Sequence, residues 1–471
     1  MPSQHSNGGV RLLAVLAFGQ FIAALDYNIV YVALPEIGRA LGFSEQSLQW
    51  TVSAYAVAFG GLLLFGGRAA DLLGRRRMFV LAISLYGLSS LVGGLASSQE
   101  LLIAARAGQG VGGALLVPAT LSLIATEYEE GAARNRALAV WGGAGALGLA
   151  LGALLGGVLT SAFGWESVFL VNVPLTAVAA VAGLRLLPAD GRRDRTRRLD
   201  LPGAVSGTLA VTAIVYGLVQ GPELGWGSAE VLAVLGVGAA LLLAFVAIER
   251  VSDHALMPLG LFRNRSLVTA MGITFVFMGT FGTQYYLFTV YLQGVLGYSA
   301  LQTGMAFLPA AVLGMVGARI AESTLGSWGI RPSLIAALVT GGLGMAAFAL
   351  ALSEDGTFVA LLPGIALISL GQGVGWTSMF AAAGAGVPPH EQGIASALAS
   401  TTQQIGAAVG LGILVAVANS ADQTVDGLRL AGFVAGAATV AGCLLTAGLR
   451  RHSHDDAARV EEPAVVDASA R

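Results

Sequence analysis

The chain has 471 residues, 55% of them hydrophobic and only 11% charged, with a mean hydropathy of +0.76. Soluble chains carry about 25% charged residues, so a water-soluble globular class is excluded. The formal net charge of −2 points to no acidic or nucleic-acid partner, and all 25 basic residues are Arg, a bias that reads as codon usage.

Without Lys the phosphate-cradling pattern Gly-x-x-x-x-Gly-Lys cannot occur, which excludes ATP-driven work by this chain. No nucleophile elbow or metal-ligand pair is present, so neither enzyme activity nor a cofactor or metal is expected. Cys443 is the single cysteine, and His5, His254, His390, His452 and His454 fall in tails or loops. The 66 glycines suit helices that approach closely in lipid.

A hydrocarbon core about 30 Å thick needs roughly 20 apolar residues per helix. By that ruler the chain holds about fourteen segments, at 12–34, 49–68, 78–97, 101–125, 137–160, 167–187, 203–220, 229–248, 267–291, 301–321, 332–352, 358–382, 393–418 and 428–449. The first is too long for the apolar region of a cleavable signal, roughly 7–15 residues, and stays as a span. Pro118, Pro174, Pro309 and Pro363 are tolerated where neighbouring helices satisfy the freed backbone groups.

Arginines set the orientation. The even-numbered connections carry Arg75–Arg77, Arg134, Arg136, Arg192, Arg193, Arg195, Arg197, Arg198, Arg263 and Arg265, while the odd-numbered ones have only Arg39 and Arg429. Both termini are therefore expected in the cytoplasm of a multi-pass cell-membrane protein. LGFS at 41–44 precedes a span ending Arg68-x-x-Asp71, and LGYS at 296–299 precedes one ending Arg319-x-x-Glu322. This weak repeat predicts two parallel halves. The expected organisation is a cytoplasmic tail (1–11), a six-helix bundle (12–188), an Arg-rich linker (189–200), an inserted helix pair (201–250), a second six-helix bundle (251–449) and a disordered tail (450–471).

Polar residues inside the spans come next, in chain order. In LDYNIVYVALPEIG at 25–38, Asp26 lies where a charge costs at least about 2.5–3.5 kcal/mol, so it must face a polar cavity or bind a proton. The bland alternative is a structural carboxyl bonded to a neighbouring helix. GGRAADLLGRRR at 66–77 is a short charged loop at a lipid–water boundary. ARAGQG at 105–110 puts Arg106 in the fourth span with Gln109 one turn on; Arg stays protonated, so it can bias a nearby carboxyl or snorkel near the inner end of its span. In the fifth span Gly148, Gly152, Gly156 and Gly157 make one smooth face. Gln284, Tyr285, Tyr286, Gln293, Gln372, Trp376, Gln403 and Gln404 are polar or aromatic in apolar surroundings, and either line a cavity or join helices.

The loop at 66–77 resembles the signature between the second and third spans of the major facilitator superfamily, and 25–38 is similar to the first-span signature of its fourteen-span drug:proton antiporters. The resemblance covers Leu12 to Leu449 and implies an all-α membrane protein, with two six-helix bundles and an inserted pair. It implies a cytoplasmic gate at Gly67, Arg68, Asp71, Gly74, Arg75 and Arg76, although Leu72 stands where a basic residue is common. It implies a proton-coupling role for Arg106 alongside Asp26. The face of Gly148, Gly152, Gly156 and Gly157 resembles the exporters' antiporter motif, with Ala153 in place of its Pro. Asn28 and Tyr31 replace the usual Thr and Asn of the first-span signature.

The expected function is a proton-coupled efflux transporter of small lipophilic neutral or monocationic compounds, acting by alternating access as a monomer. Its substrate cavity would be lined by Asn28, Gln109, Gln284, Tyr285, Gln372, Trp376 and Gln403. A facilitator or importer of a small metabolite is the alternative, slightly favoured by Ala153. A non-transporting membrane sensor is the alternative of another class.

Overall fold

In lipid every backbone N–H and C=O must find a partner within the chain, and long apolar runs meet that demand as helices. The computed structural model describes residues 4–129, 132–190, 200–252, 259–385, 387 and 392–449. Its α-helices there are α1 (Gln4–Leu41), α2 (Glu45–Leu48), α3 (Trp50–Leu73), α4 (Arg75–Gly94), α5 (Gln99–Glu127), α6 (Ala132–Phe163), α7 (Ser167–Leu170), α8 (Asn172–Leu186) and α9 (Leu201–Leu224). They continue as α10 (Ala229–Val251), α11 (Arg265–Phe281), α12 (Gln284–Val290), α13 (Ala300–Ala306), α14 (Leu308–Ser327), α15 (Ile330–Ala351), α16 (Phe358–Gly384), α17 (Gln392–Ala418) and α18 (Thr424–Ala441). A π turn at Tyr291–Val295 extends α12, and a 3-10 turn at Gly442–Gly448 extends α18. No strand occurs among the described residues.

Among the described residues, twelve stretches are long and apolar enough to cross a bilayer. The other two expected spans coincide with α3 and α9, whose stretches Trp50–Leu63 and Pro202–Leu218 are apolar among the described residues. A total of fourteen is consistent with these elements. The Arg-rich linker is described only at its ends, since 191–199 lie outside the described residues, as do 1–3 and the tail from 450.

Apart from a one-residue break at Val171 between α7 and α8 in the sixth expected span, two expected spans are not single helices. The ninth breaks at Gly282 and Thr283, between α11 and α12, and the tenth breaks at Phe307. The second break follows from Pro309, which lacks an N–H and occupies the first turn of α14, where none is needed. Pro118 and Pro363 stay inside continuous helices.

The short sequence repeat is also a structural one. Gly42 and Gly297 adopt φ of 68° and 66°, a region open to glycine. Two residues on, Ser44 and Ser299 each cap a short helix through a reciprocal capping box, with Ser47 and Gln302 respectively. Each short helix, α2 or α13, leads at once into a long one. At the far ends of these long helices Arg319 and Glu322 form an exposed 3.3 Å ion pair, while the Arg68 and Asp71 side chains lie outside the described residues.

Within the N-terminal half α1 packs on α6, and α5 on both α3 and α4; within the C-terminal half α16 packs on α14 and α15, and α11 on α17. The halves meet through α1–α12, α3–α17 and α6–α13, and α9 packs against both α3 and α17. Gln293 Nε2 donates to the Val32 carbonyl at 2.9 Å, and the Leu301 N–H to Ser161 Oγ at 3.0 Å. Both bonds lie toward the end of the molecule opposite the chain termini. There a single apolar core joins Leu25, Ile29 and Leu34 to Phe281, Tyr291 and Leu411. Toward the other end Leu16, Phe79, Leu116 and Ile124 form a core from the N-terminal half alone.

Candidate functional site

Four helices of the N-terminal half converge on Asp26, whose side chain is fully buried between Leu25 and Ile29 on α1, and α3 reaches its partner Arg106. Arg106 and Gln109 stand three residues apart on α5 and so share one face. Tyr86 and Ser90, four apart on α4, share another, and α8 contributes Asn172 from its first turn. The Asp26 Oδ2 atom accepts from Arg106 NH1 at 2.6 Å and from Tyr86 OH at 2.9 Å. Its Oδ1 accepts from Asn172 Nδ2 at 2.6 Å and Gln109 Nε2 at 2.9 Å. All four neighbours donate, which suits an ionised carboxylate, an acceptor only.

Arg106 is equally well satisfied. Its Nε donates to the Thr51 carbonyl at 2.7 Å and its NH1 also reaches Gln109 Oε1 at 2.8 Å, while its guanidinium lies 4.8 Å from the centre of the Tyr55 ring. Gln109 also donates to Ser90 Oγ at 2.8 Å, and Ser90 in turn to the Tyr86 carbonyl. The polar cavity expected beside Asp26 is thus replaced by protein donors. Arg106 does not snorkel: it is 1% exposed and sits two turns from the start of α5, at the end opposite the chain termini.

Sequence reasoning missed Asn172, Tyr86 and Ser90. The available signal was Asn172 itself, an amide within the apolar run SVFLVNVPL. Gln109, expected in the substrate cavity, belongs to the carboxylate cluster because its spacing from Arg106 turns it the same way.

The expected gate residues occupy the join of α3 and α4. Gly74 adopts φ of 104° there. The N–H groups of Arg76 and Arg77 donate to Asp190 Oδ1 and Oδ2 at 2.9 and 3.1 Å, so a carboxylate beyond the end of α8 sits on the N-terminus of α4. Arg76 also donates to the Leu184 carbonyl, and Arg75 Nε to Ser122 Oγ at 2.6 Å. These contacts remain within the N-terminal half. Gly67 sits near Pro118 on α5.

On α6 a Cβ added at Gly148, Gly152 or Gly156 would stand 2.5, 2.4 or 2.6 Å from the carbonyl oxygens of Phe21, Leu25 and Ile29 on α1. Gly157 turns instead to the other half, 2.5 Å by the same measure from the Ala300 carbonyl. Among the residues expected in a substrate cavity, Gln284 donates to Gln372 at 3.1 Å and the Tyr285 ring lies 5.8 Å from that of Tyr31. Asn28 donates to the Leu149 carbonyl in the α1–α6 seam at 3.0 Å. Trp376 is partly exposed beside Phe380, and Gln403 is half-buried on α17, whereas its neighbour Gln404 packs against Gly60 on α3.

Comparison with known proteins agrees with this architecture. The profile of the Major Facilitator Superfamily matches residues 16–411. The puromycin resistance protein of Streptomyces alboniger is 41% identical over 87% of this chain and 82% of its own length. The cephamycin export protein of Amycolatopsis lactamdurans is 39% identical over 89% and 87%. The methylenomycin A resistance protein of Streptomyces coelicolor is 32% identical over 93% and 91%. Among solved structures, a nucleoside transporter superposes with a TM-score of 0.68 at 12% identity, covering 94% of this chain and 100% of its own. A peptide-bound transporter of the POT family gives 0.68 at 15% identity, covering 96% of each chain. The chain belongs to the Major Facilitator Superfamily.

Proposed function

We propose that this member of the superfamily is a proton-coupled exporter of small lipophilic compounds, antibiotics among them, working by alternating access. The observation that carries the reading is Asp26, a fully buried carboxylate accepting four hydrogen bonds, one of them from Arg106 at 2.6 Å. Such a group is costly in a membrane span and marks an ion or proton path by default. The resistance and export proteins similar to this chain support a natural-product or drug substrate and outward transport.

In this reading the termini face the cytoplasm, as the arginine distribution requires, and the chain works as a monomer in the cell membrane with fourteen spans. The halves are joined at the outer end, Asp26 is ionised, and the transporter is ready to take substrate from the inner side. When the outer end opens, a proton reaching Asp26 cancels its charge and weakens its hold on Arg106. The guanidinium keeps Thr51 and Gln109 as acceptors, so it is not stranded. On return to the inward state the ion pair re-forms and expels the proton. One charge moved through 100 mV supplies about 2.3 kcal/mol, enough for more than a tenfold substrate gradient.

The test is efflux from cells and uptake into everted vesicles, measured with puromycin, lincomycin and ethidium under an imposed proton gradient. Asp26→Asn keeps the shape but removes the ionisable group, and transport is expected to fall at least tenfold at equal expression. Full activity in that variant removes Asp26 from the coupling step. A proton uncoupler should raise the intracellular drug level; a fall would reverse the assigned direction.

A further inference from the structure

The carboxylate cluster is built wholly from the N-terminal half, and a recess of different character lies in the C-terminal half. It opens beside the break between α11 and α12, and its walls come from α11, α12, α14, α15, α16 and α18. Tyr285, Phe288, Phe307 and Phe348 give it an aromatic lining, with Gln284 and Ser369 among its few polar groups. Its volume of about 40 Å³ suits one small group of a larger molecule, and among the described residues no charged side chain lines it. A charge entering such a place would lose its hydration without compensation. An interrupted membrane helix beside an internal cavity is a recurrent setting for ligand binding.

The recess and the carboxylate are physically connected. Tyr285 lies against Phe307 at 5.5 Å between ring centroids and against Tyr31 of α1 at 5.8 Å. Tyr31 meets Tyr27 at 5.9 Å, Tyr27 meets Tyr55 at 6.2 Å, and Tyr55 meets Tyr86 at 6.5 Å. Tyr86 then donates its hydroxyl to Asp26 at 2.9 Å. Ring pairs at these separations are in packing contact, and a close-packed interior passes a displacement from one group to the next.

Resting on the exporter reading, we propose that this recess is the apolar subsite for the exported molecule. It takes an uncharged aromatic or branched aliphatic group, with the Gln284 amide available for one hydrogen bond. Tyr285 is a positioning residue: occupancy of the recess moves its ring, and the tyrosine string carries the shift across the two halves to Asp26. Any charged portion of the substrate stays outside the recess.

The experiment uses the full chain in lipid nanodiscs and the uncharged dye N-phenyl-1-naphthylamine. Binding is read by energy transfer from tryptophan and proton release by a pH dye in weak buffer. Wild type is expected to bind saturably and, as binding draws the protonated outward-open population into the ionised inward state, to release protons. Ala435→Leu and Ala310→Phe, which fill the recess from α18 and α14, should each weaken binding at least tenfold while thermal stability is retained. Tyr27→Leu lies outside the recess, so it should bind within about threefold of wild type yet release at least fivefold less proton, and Tyr27→Phe should restore release. Unchanged or merely non-saturable binding in both filled variants overturns the subsite. Intact proton release in Tyr27→Leu overturns the tyrosine route. Recess-dependent binding with no proton release from wild type overturns proton coupling itself, while leaving the recess as a ligand site.

Discussion

At the scale of single residues, the buried pair of Asp26 and Arg106 is held less by its own Coulomb attraction than by the completeness of its surroundings. A buried ion pair is no stabiliser in itself, because desolvation offsets the attraction, but removing one member of its hydrogen-bonded setting leaves charge uncompensated. Asn172 shows the effect while carrying no charge of its own. Asn172→Leu deletes the 2.6 Å donor to Oδ1 and leaves that oxygen with Gln109 alone. A hydrogen bond to a charged group contributes about 1.5–3 kcal/mol. Antiport should therefore fall roughly ten- to hundredfold, while Thr176→Val, one turn along the same helix and bonded only to its own backbone, changes it little. Transport assays on the two variants at matched expression check this, and equal activity would mean that Asn172 is mere helix glue. Asp26, Arg106 and Gln109 were readable from sequence because charge and amide groups are rare in apolar spans. Their mutual contacts were not readable, since three further helices complete the cluster from positions up to 146 residues away.

At the scale of elements, the glycines of α6 divide into two kinds that spacing alone cannot separate. Gly148, Gly152 and Gly156 follow the four-residue period and let α1 approach within its own half, where Asp26 is carried. Gly157, one step round the helix, faces α13 in the other half. The period therefore announced a smooth face but not its partner, which is a tertiary choice. Gly152→Leu forces its side chain into the Leu25 carbonyl, one residue from Asp26, and backbone cannot yield as a flexible side chain does. Lower thermal stability and loss of efflux are expected. Gly142→Ala, on the same helix with nothing within 4 Å of its Cβ position, should leave both unchanged. Thermal unfolding of the purified variants decides it, with equal melting temperatures refuting the seam. The breaks in the ninth and tenth expected spans follow a similar logic. Pro309 could be read as a first-turn proline, whereas the interruption at Gly282 and Thr283 has no strong local signal.

At the scale of the whole molecule, the repeated turn and cap were legible because LGFS and LGYS encode them twice. The place of α9 was not legible, because it is held by contacts remote in sequence. Thr208 donates to the Gly61 carbonyl at 2.9 Å, and Trp50 stacks on Tyr216 at 5.5 Å. Val215 shares a small core with Ala56 on α3 and Ala408 on α17, so α9 covers one side of the junction between α3 and α17.

The rest of that junction is concentrated at the end opposite the termini, and this makes alternating access testable by a single cross-link. The Leu301 N–H donates to Ser161 Oγ at 3.0 Å, which holds the two Cα atoms within the roughly 7 Å that a disulfide across α6 and α13 can span. In a Cys443→Ser background, Ser161→Cys with Leu301→Cys should cross-link on mild oxidation and stop efflux, and a reductant should restore it. Each single variant should be indifferent to oxidant. If the cross-linked protein still transports at the full rate, the halves do not separate at that end, and the proton cannot reach Asp26 by the route proposed here.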